Sequence, residues 1–102
     1  MNNEVVMWSH NPETGIVIGT LMTDPKQMQF VMELRNKFVV SAFIMDSCKR
    51  TWRVRASAHL AGQLLTYHAG QKIKFMGIKG DLCKGAWDGA KRQIVPTNIA
   101  LK

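Results

Sequence analysis

The sequence predicts an all-β domain, a five-stranded barrel with a short helix between strands three and four. Three observations lead there. Residues 51–57 alternate, with Trp52, Val54 and Ala56 on one side and Arg53, Arg55 and Ser57 on the other, which is the two-residue period of a half-buried strand. Residues 72–77 repeat the pattern, Lys72, Lys74 and Met76 against Ile73, Phe75 and Gly77, so this strand offers one apolar and one largely cationic face. Between the two, Ser57 stands where a helix is capped, and Leu60, Ala61, Leu64, Leu65 and Tyr67 fall on one helical side. Gly70 then sits where a helix C-terminus favours positive φ.

Strand, short helix, strand is the order of an OB-fold barrel, whose helix plugs one end. The remaining elements are placed around it. Residues 4–9 predict an N-terminal strand, and Asn11, Pro12 and Gly15 a loop, so residues 1–14 read as an extension of the barrel. Trp8 in that strand suits core or interface packing as well as base stacking. Residues 15–22 form the first barrel strand, ended by Asp24-Pro25, because proline cannot donate to a ladder and restricts the residue before it. Alternation resumes over residues 29–35, with Phe30, Met32 and Leu34 inward and Val31, Glu33 and Arg35 outward. Arg35 is a candidate phosphate contact or a cross-strand partner of Glu33. Residues 37–45 are apolar on both faces, which calls for cover on both sides, within the barrel or at a subunit interface. Residues 46–50 make a polar turn. Residues 81–93 are a glycine-rich hairpin loop with a strong Asp88-Gly89 turn signal, and residues 93–101 close the barrel, where Pro96 demands an edge or a bulge.

At 102 residues the chain is one domain, 1–102, large enough for a modest core. Fourteen Lys and Arg against seven Asp and Glu give a net charge of +7, which favours a polyanionic partner such as nucleic acid. The first residues lack the basic and apolar regions of a secretory leader, and the apolar run 38–45 is too short for a bilayer, so a cytoplasmic protein without a membrane partner is expected. Cys48 and Cys83 are too few for a disulfide framework. With His10, His59 and His68 they lack paired ligand spacing, so neither a metal nor another cofactor is expected. No nucleophile elbow, phosphate-cradling glycine loop or convergent acid and histidine set is present, which argues against an enzyme.

Several residues carry a resemblance to a known family. Arg53-Val54, Leu60-Ala61, Tyr67, Gly70, Ile73 and Gly77, with Gly19, Leu21, Asp24 and Pro25 upstream, resemble bacterial single-stranded DNA-binding proteins. Residues 29–35 also resemble primosomal replication protein N, a shorter relative. The similarity covers roughly residues 15–101 and is moderately specific when its motifs are taken together.

What the resemblance implies is base stacking on aromatics and phosphate contacts from cations. It points to Arg35 as a basic contact and to Trp87, with Lys91 and Arg92 after it, as the aromatic and basic part of the loop between strands four and five. It makes Phe38 and Phe43 stacking candidates, although core packing is the expectation for both. Counted back from Leu60, the family's aromatic falls on Thr51 and its arginine on Arg53. A bulge between Val54 and Leu60 would return Trp52 to the binding face, which is the placement expected here. The cationic set is then Arg35, Arg53, Arg55, Lys72, Lys74, Lys79, Lys84, Lys91 and Arg92, with Trp52 and Trp87 as platforms.

The resulting expectation is sequence-independent single-stranded DNA binding in replication, recombination or repair. A primosome adaptor that binds DNA and replication proteins is the alternative. An RNA-binding OB module and a purely structural interaction protein are further options. The resemblance also implies a homo-oligomer, dimer or tetramer. The glycine-rich linker and acidic tip of the larger relatives have no counterpart in this sequence.

Overall fold

In a computed structural model of the chain, the structure describes residues 12–27, 39–81 and 91–102. The strands expected at 4–9 and 29–35, with Trp8, Arg35 and Phe38, lie outside these residues. So does the segment 82–90, with Lys84, Trp87 and the Asp88-Gly89 turn. The described elements are strands β1 (Glu13–Leu21), β2 (Lys26–Gln27), β3 (Val39–Asp46) and β4 (Thr51–Ser57), helix α1 (Ala58–Leu64), and strands β5 (Lys72–Asp81) and β6 (Arg92–Leu101).

One sheet closes on itself. β1 pairs antiparallel with β5 from Glu13↔Lys79 to Thr20↔Lys72, and its last residues, from Gly19↔Asp46 to Leu21↔Ile44, pair with β3. β3 and β4 form an antiparallel hairpin, β4 runs parallel to β6 through Arg53↔Gln93 and Val54↔Ile94, and β6 returns antiparallel to β5. The ring β1-β5-β6-β4-β3 is the expected five-stranded OB barrel, and β2 adds a two-residue ladder to β3. No helix among the described residues is long and apolar enough to cross a membrane.

Alternation decides what enters the barrel. On β5, Ile73 and Phe75 are fully buried while Lys72 and Met76 face out, as the sequence pattern requires. With Val17 and Leu21 from β1, Val40, Ala42 and Ile44 from β3, and Ile94 and Ile99 from β6, they form a single core cluster. Helix α1 closes one end by burying Ala61 and Leu64 in that cluster. Gln63 Nε2 ties the helix down, donating to the Tyr67 hydroxyl at 2.8 Å and to the carbonyl of Ile99 at 2.7 Å.

The helix ends one residue too early for Leu65 to join its apolar side, so Leu65 is exposed, contrary to expectation. Ser57 does occupy the cap position in extended backbone, but its side chain makes no capping hydrogen bond. Gly70 does have a positive φ of 95°. It works in the turn into β5 rather than at the helix end, donating its N–H to the carbonyl of Leu21 at 2.8 Å. Asp24 explains the Asp-Pro pair, because its Oδ1 accepts the Ala69 N–H at 2.8 Å and so links the end of β1 to the same turn.

Two local devices hold the strands in place. The ladder steps from Gly77↔Pro96 to Met76↔Asn98, leaving Thr97 as an extra residue, and this is the bulge that Pro96 needs. At the bulge the chains approach so closely that a Cβ on Gly77 would lie 2.2 Å from the Val95 carbonyl oxygen and 2.6 Å from Pro96 Cα. The second device is the β3-β4 turn. The Asp46 carboxylate accepts the N–H groups of Cys48 and Arg50, the Arg50 guanidinium and the Trp52 indole, each at 2.9 Å. Burial alone raises the Asp46 carboxyl. The Arg50 N–H, the Trp52 indole, the Arg50 guanidinium and the Cys48 N–H together outweigh it and hold the pKa at about 2, against an ordinary 3.8.

Two expected outcomes follow from these devices. Gly77→Ala should cost about 2 kcal/mol and lower Tm by roughly 10 °C, because backbone must move to admit the methyl. Gly62→Ala, at an exposed helical glycine with nothing within 4 Å of its Cβ position, should instead stabilise by about 0.8 kcal/mol. Thermal denaturation by circular dichroism compares the signs directly, and two shifts of the same sign would refute the packing argument. For Asp46 the folded pKa is depressed, so its contribution is complete above the unfolded value and is lost as pH falls towards the folded one. Urea melts of wild type should therefore lose on the order of 1 kcal/mol between about pH 4 and pH 2, and Asp46→Asn should flatten that segment.

Candidate nucleic-acid interface

The outer surface of β3 and β4 is built by the residues that the core does not take. Val40, Ala42 and Ile44 of β3 and Trp52, Val54 and Ala56 of β4 point inward. Alternation leaves Ser41, Phe43 and Met45, and Thr51, Arg53 and Arg55, on the outside. The register sets Ser41 against Arg55, Phe43 against Arg53 and Met45 against Thr51. Because Arg53 is also opposite Gln93, the side chains of Phe43, Arg53 and Gln93 form one row across β3, β4 and β6, roughly 10 Å long at ordinary strand spacing. The outside of the second and third barrel strands is where OB folds take oligonucleotides.

Phe43 corrects the expectation of core packing. Its neighbours Ala42 and Ile44 are buried, and it is turned outward and half-buried beside the two arginines. Trp52 corrects the opposite expectation. The β3-β4 ladder runs unbroken from Met45↔Thr51 to Val39↔Ser57, so no bulge there turns Trp52 outward. It is 6% exposed within the core cluster. Its indole N–H is committed to Asp46, and the Lys79 ammonium lies 5.9 Å from the ring centroid, within cation-π range. A base cannot stack on a ring so enclosed.

The predicted cations do not make one track. Arg53 shares the outer face with Phe43 but is only 7% exposed, and its Nε donates to Gln93 Oε1. This corrects its expected role as an open phosphate contact. Arg55 is half-buried on the same outer face and is also engaged in an interaction. Lys72 and Lys74 belong to the outside of β5, which the ring order places across the barrel from β3 and β4. Lys79 points to the barrel end, 3.9 Å from the Glu13 carboxylate and over Trp52, so it is spent on internal contacts. Lys91 is exposed and Arg92 half-buried at the start of β6, adjacent to the row through Gln93. Arg35, Lys84 and Trp87 lie outside the described residues.

Gln93 is a residue that sequence reasoning passed over. It is 0% exposed, its Oε1 accepts from Arg53, and its Nε2 has no hydrogen-bond partner. An enclosed donor in that state costs about 1–3 kcal/mol. The available signal was a polar residue at the head of an otherwise apolar strand segment, Gln93-Ile94-Val95-Pro96.

A second surface lies on the far side of the barrel. Ile16 and Ile18 of β1 and Met76 and Ile78 of β5 all face solvent, Ile16 at 50% and Met76 at 41% exposure. Ile16 pairs directly with Met76, and Lys74 stands opposite Ile18. Among the described residues, β1 from Glu13 to Ile18 pairs only on its β5 side.

The sequence matches no protein-family model and no curated protein. Solved structures do match. The second single-stranded DNA-binding protein of Mycobacterium smegmatis superposes with a TM-score of 0.69 at 12% identity, over 90% of each chain. A small single-stranded DNA-binding protein from Streptomyces coelicolor gives 0.63 at 15% identity, over 92% of this chain and 95% of that one. The single-stranded DNA-binding protein of Thermus aquaticus gives 0.67 at 16% identity, and 85% of this chain spans only 38% of it. The barrel order, the end-capping helix and these superpositions together show that the chain has the OB fold of bacterial single-stranded DNA-binding proteins.

Proposed function

We propose that the chain binds single-stranded DNA without reading its sequence, across the outer surface of β3 and β4. The observation that carries this reading is Phe43. It is an outward aromatic set directly against Arg53 and one step from Arg55, on the surface that OB folds use for oligonucleotides. Unpaired bases offer flat faces to stack on an aromatic, and their phosphates offer charge to a protein of net charge +7. Lys91 and Arg92 extend the positive end of this surface, and the aromatic and basic loop residues Trp87 and Lys84 belong to the same proposal. Binding rather than catalysis is the activity, in the service of replication, recombination or repair in the cytoplasm, with replication proteins as further partners.

The apolar surface of β1 and β5 supports self-association. A second copy of the chain is the occupant that fits it. Ile16, Ile18, Met76 and Ile78 lie beside a β1 edge left open among the described residues, and a two-fold axis there would let two copies cover each other's patch and edge together.

Fluorescence anisotropy with an oligo-dT strand, its duplex and an oligo-U strand tests the ligand. Log affinity should fall with log salt at a slope near −3.5 if about five phosphates are neutralised, and Phe43→Ala should weaken binding by about 1–3 kcal/mol, the range for stacked bases in such barrels. A slope near zero, or equal affinity for duplex, would sink the reading. For assembly, light scattering should report a dimer or larger particle in wild type and a smaller one after Met76→Lys. A monomeric wild type would remove the self-association proposal.

A further inference from the structure

We infer that Gln93 is a strand-recognition residue, whose side-chain N–H is held ready for an acceptor oxygen of the bound nucleic acid. The inference rests on the proposed single-stranded DNA binding and deepens it, since nothing in sequence-independent stacking requires an amide at this point.

The orientation of the amide is fixed by its neighbour. The Arg53 guanidinium has only N–H groups, so the side of Gln93 that meets Arg53 Nε must be the carbonyl, Oε1. Rotating the amide by half a turn would set donor against donor. Nε2 is therefore the end left over, and it is fully enclosed with no partner. Buried polar groups are almost always paired, so an orphan donor in an otherwise satisfied region marks a site where a partner is supplied from elsewhere.

Its place in the fold points to that partner. Val54 and Ile94, the next residues in the parallel ladder, both enter the core, so Arg53 and Gln93 are on the outer side of the barrel. Gln93 thus ends the row that starts at Phe43, about two strand spacings away. A base stacked on Phe43 would bring its own edge and the adjoining phosphate along this row. Both are rich in acceptor oxygens, which is the chemistry an amide N–H takes. Gln93 is fully enclosed, so a strand must displace its cover to reach it, and a newly formed hydrogen bond to Nε2 replaces no earlier one. Arg53 acts through Gln93 as a positioning residue.

The test compares wild type with Gln93→Met, which keeps length and volume but removes the amide. Oligo-dT affinity should fall about tenfold, the loss of one hydrogen bond to an oxygen acceptor, while Tm falls modestly because the Arg53 Nε–H loses its acceptor. Wild type that binds oligo-dT alongside a Gln93→Met variant within twofold of it overturns the inference alone. Wild type that fails to bind overturns the proposed function as well. Should Gln93→Met unfold, the side-chain amide of Gln93 in ¹⁵N NMR spectra of wild type decides. Saturation with oligo-dT should shift that resonance and slow its hydrogen exchange, and an unmoved, equally labile amide overturns the inference. An abasic strand of the same length separates the two acceptors, because the tenfold loss persists if the oxygen is a phosphate's and vanishes if it is a base carbonyl's.

Discussion

Five short strands can close into a barrel only where neighbouring backbones are allowed to come closer than side chains permit, and that requirement governs this molecule. At Gly77 the carbonyl of Val95 and the Cα of Pro96 already fill the space of a Cβ. The bulge at Thr97 places them there and tightens the local twist of β6 against β5. Gly19 plays the corresponding part where β1 leaves β5 for β3, with the Met45 carbonyl oxygen 2.9 Å from its Cβ position. With both closures made, β4 and β6 are brought side by side in parallel, and the pairing of Arg53 with Gln93 exists only because of them.

Closure also divides the outside into two surfaces of different character. β3, β4 and the start of β6 carry an aromatic, two arginines and an amide, while β1 and β5 carry isoleucines and a methionine bordered by lysines. Both surfaces take their residues from strands whose inner side chains serve one core. A substitution that rotates a strand would therefore damage a surface and the core together. Asp46 guards against this on β3 and β4, since its carboxylate binds the turn backbone and the indole of the first inward residue of β4 at once.

Much of the barrel was legible in the sequence. Period-two alternation located β4 and β5, Asp24-Pro25 marked the end of β1 and Pro96 the bulge, and Ser57 with the apolar residues after it marked the helix, whereas the loop expected at Asn11, Pro12 and Gly15 gives way to β1 from Glu13. Facing was harder to read. Alternation says which residues share a side, and on β4 both sides are covered, so Trp52 and Arg53 are both enclosed and neither pattern distinguishes them. Residues 37–45 are apolar on both sides, so the pattern alone favours the core for Phe43, and only the burial of Ala42 and Ile44 on either side of it shows its outward turn. The lysines do not form one group for a related reason. Lys72 and Lys74 do face solvent, but a linear pattern carries no information on which side of a closed barrel a strand lies. Gln93 stands out in the sequence only as a polar residue before an apolar run, and its significance comes from a partner forty positions earlier in the chain.

The seat of Trp52 has a practical consequence for anyone studying this molecule by its intrinsic emission. An indole that donates to a carboxylate and lies beneath an ammonium has its excited state tuned by those two fixed charges, and solvent hardly touches it. Its signal reports whether the barrel is shut. Quenching seen on adding a polynucleotide should therefore be traced to another tryptophan before it is read as occupancy of the surface above.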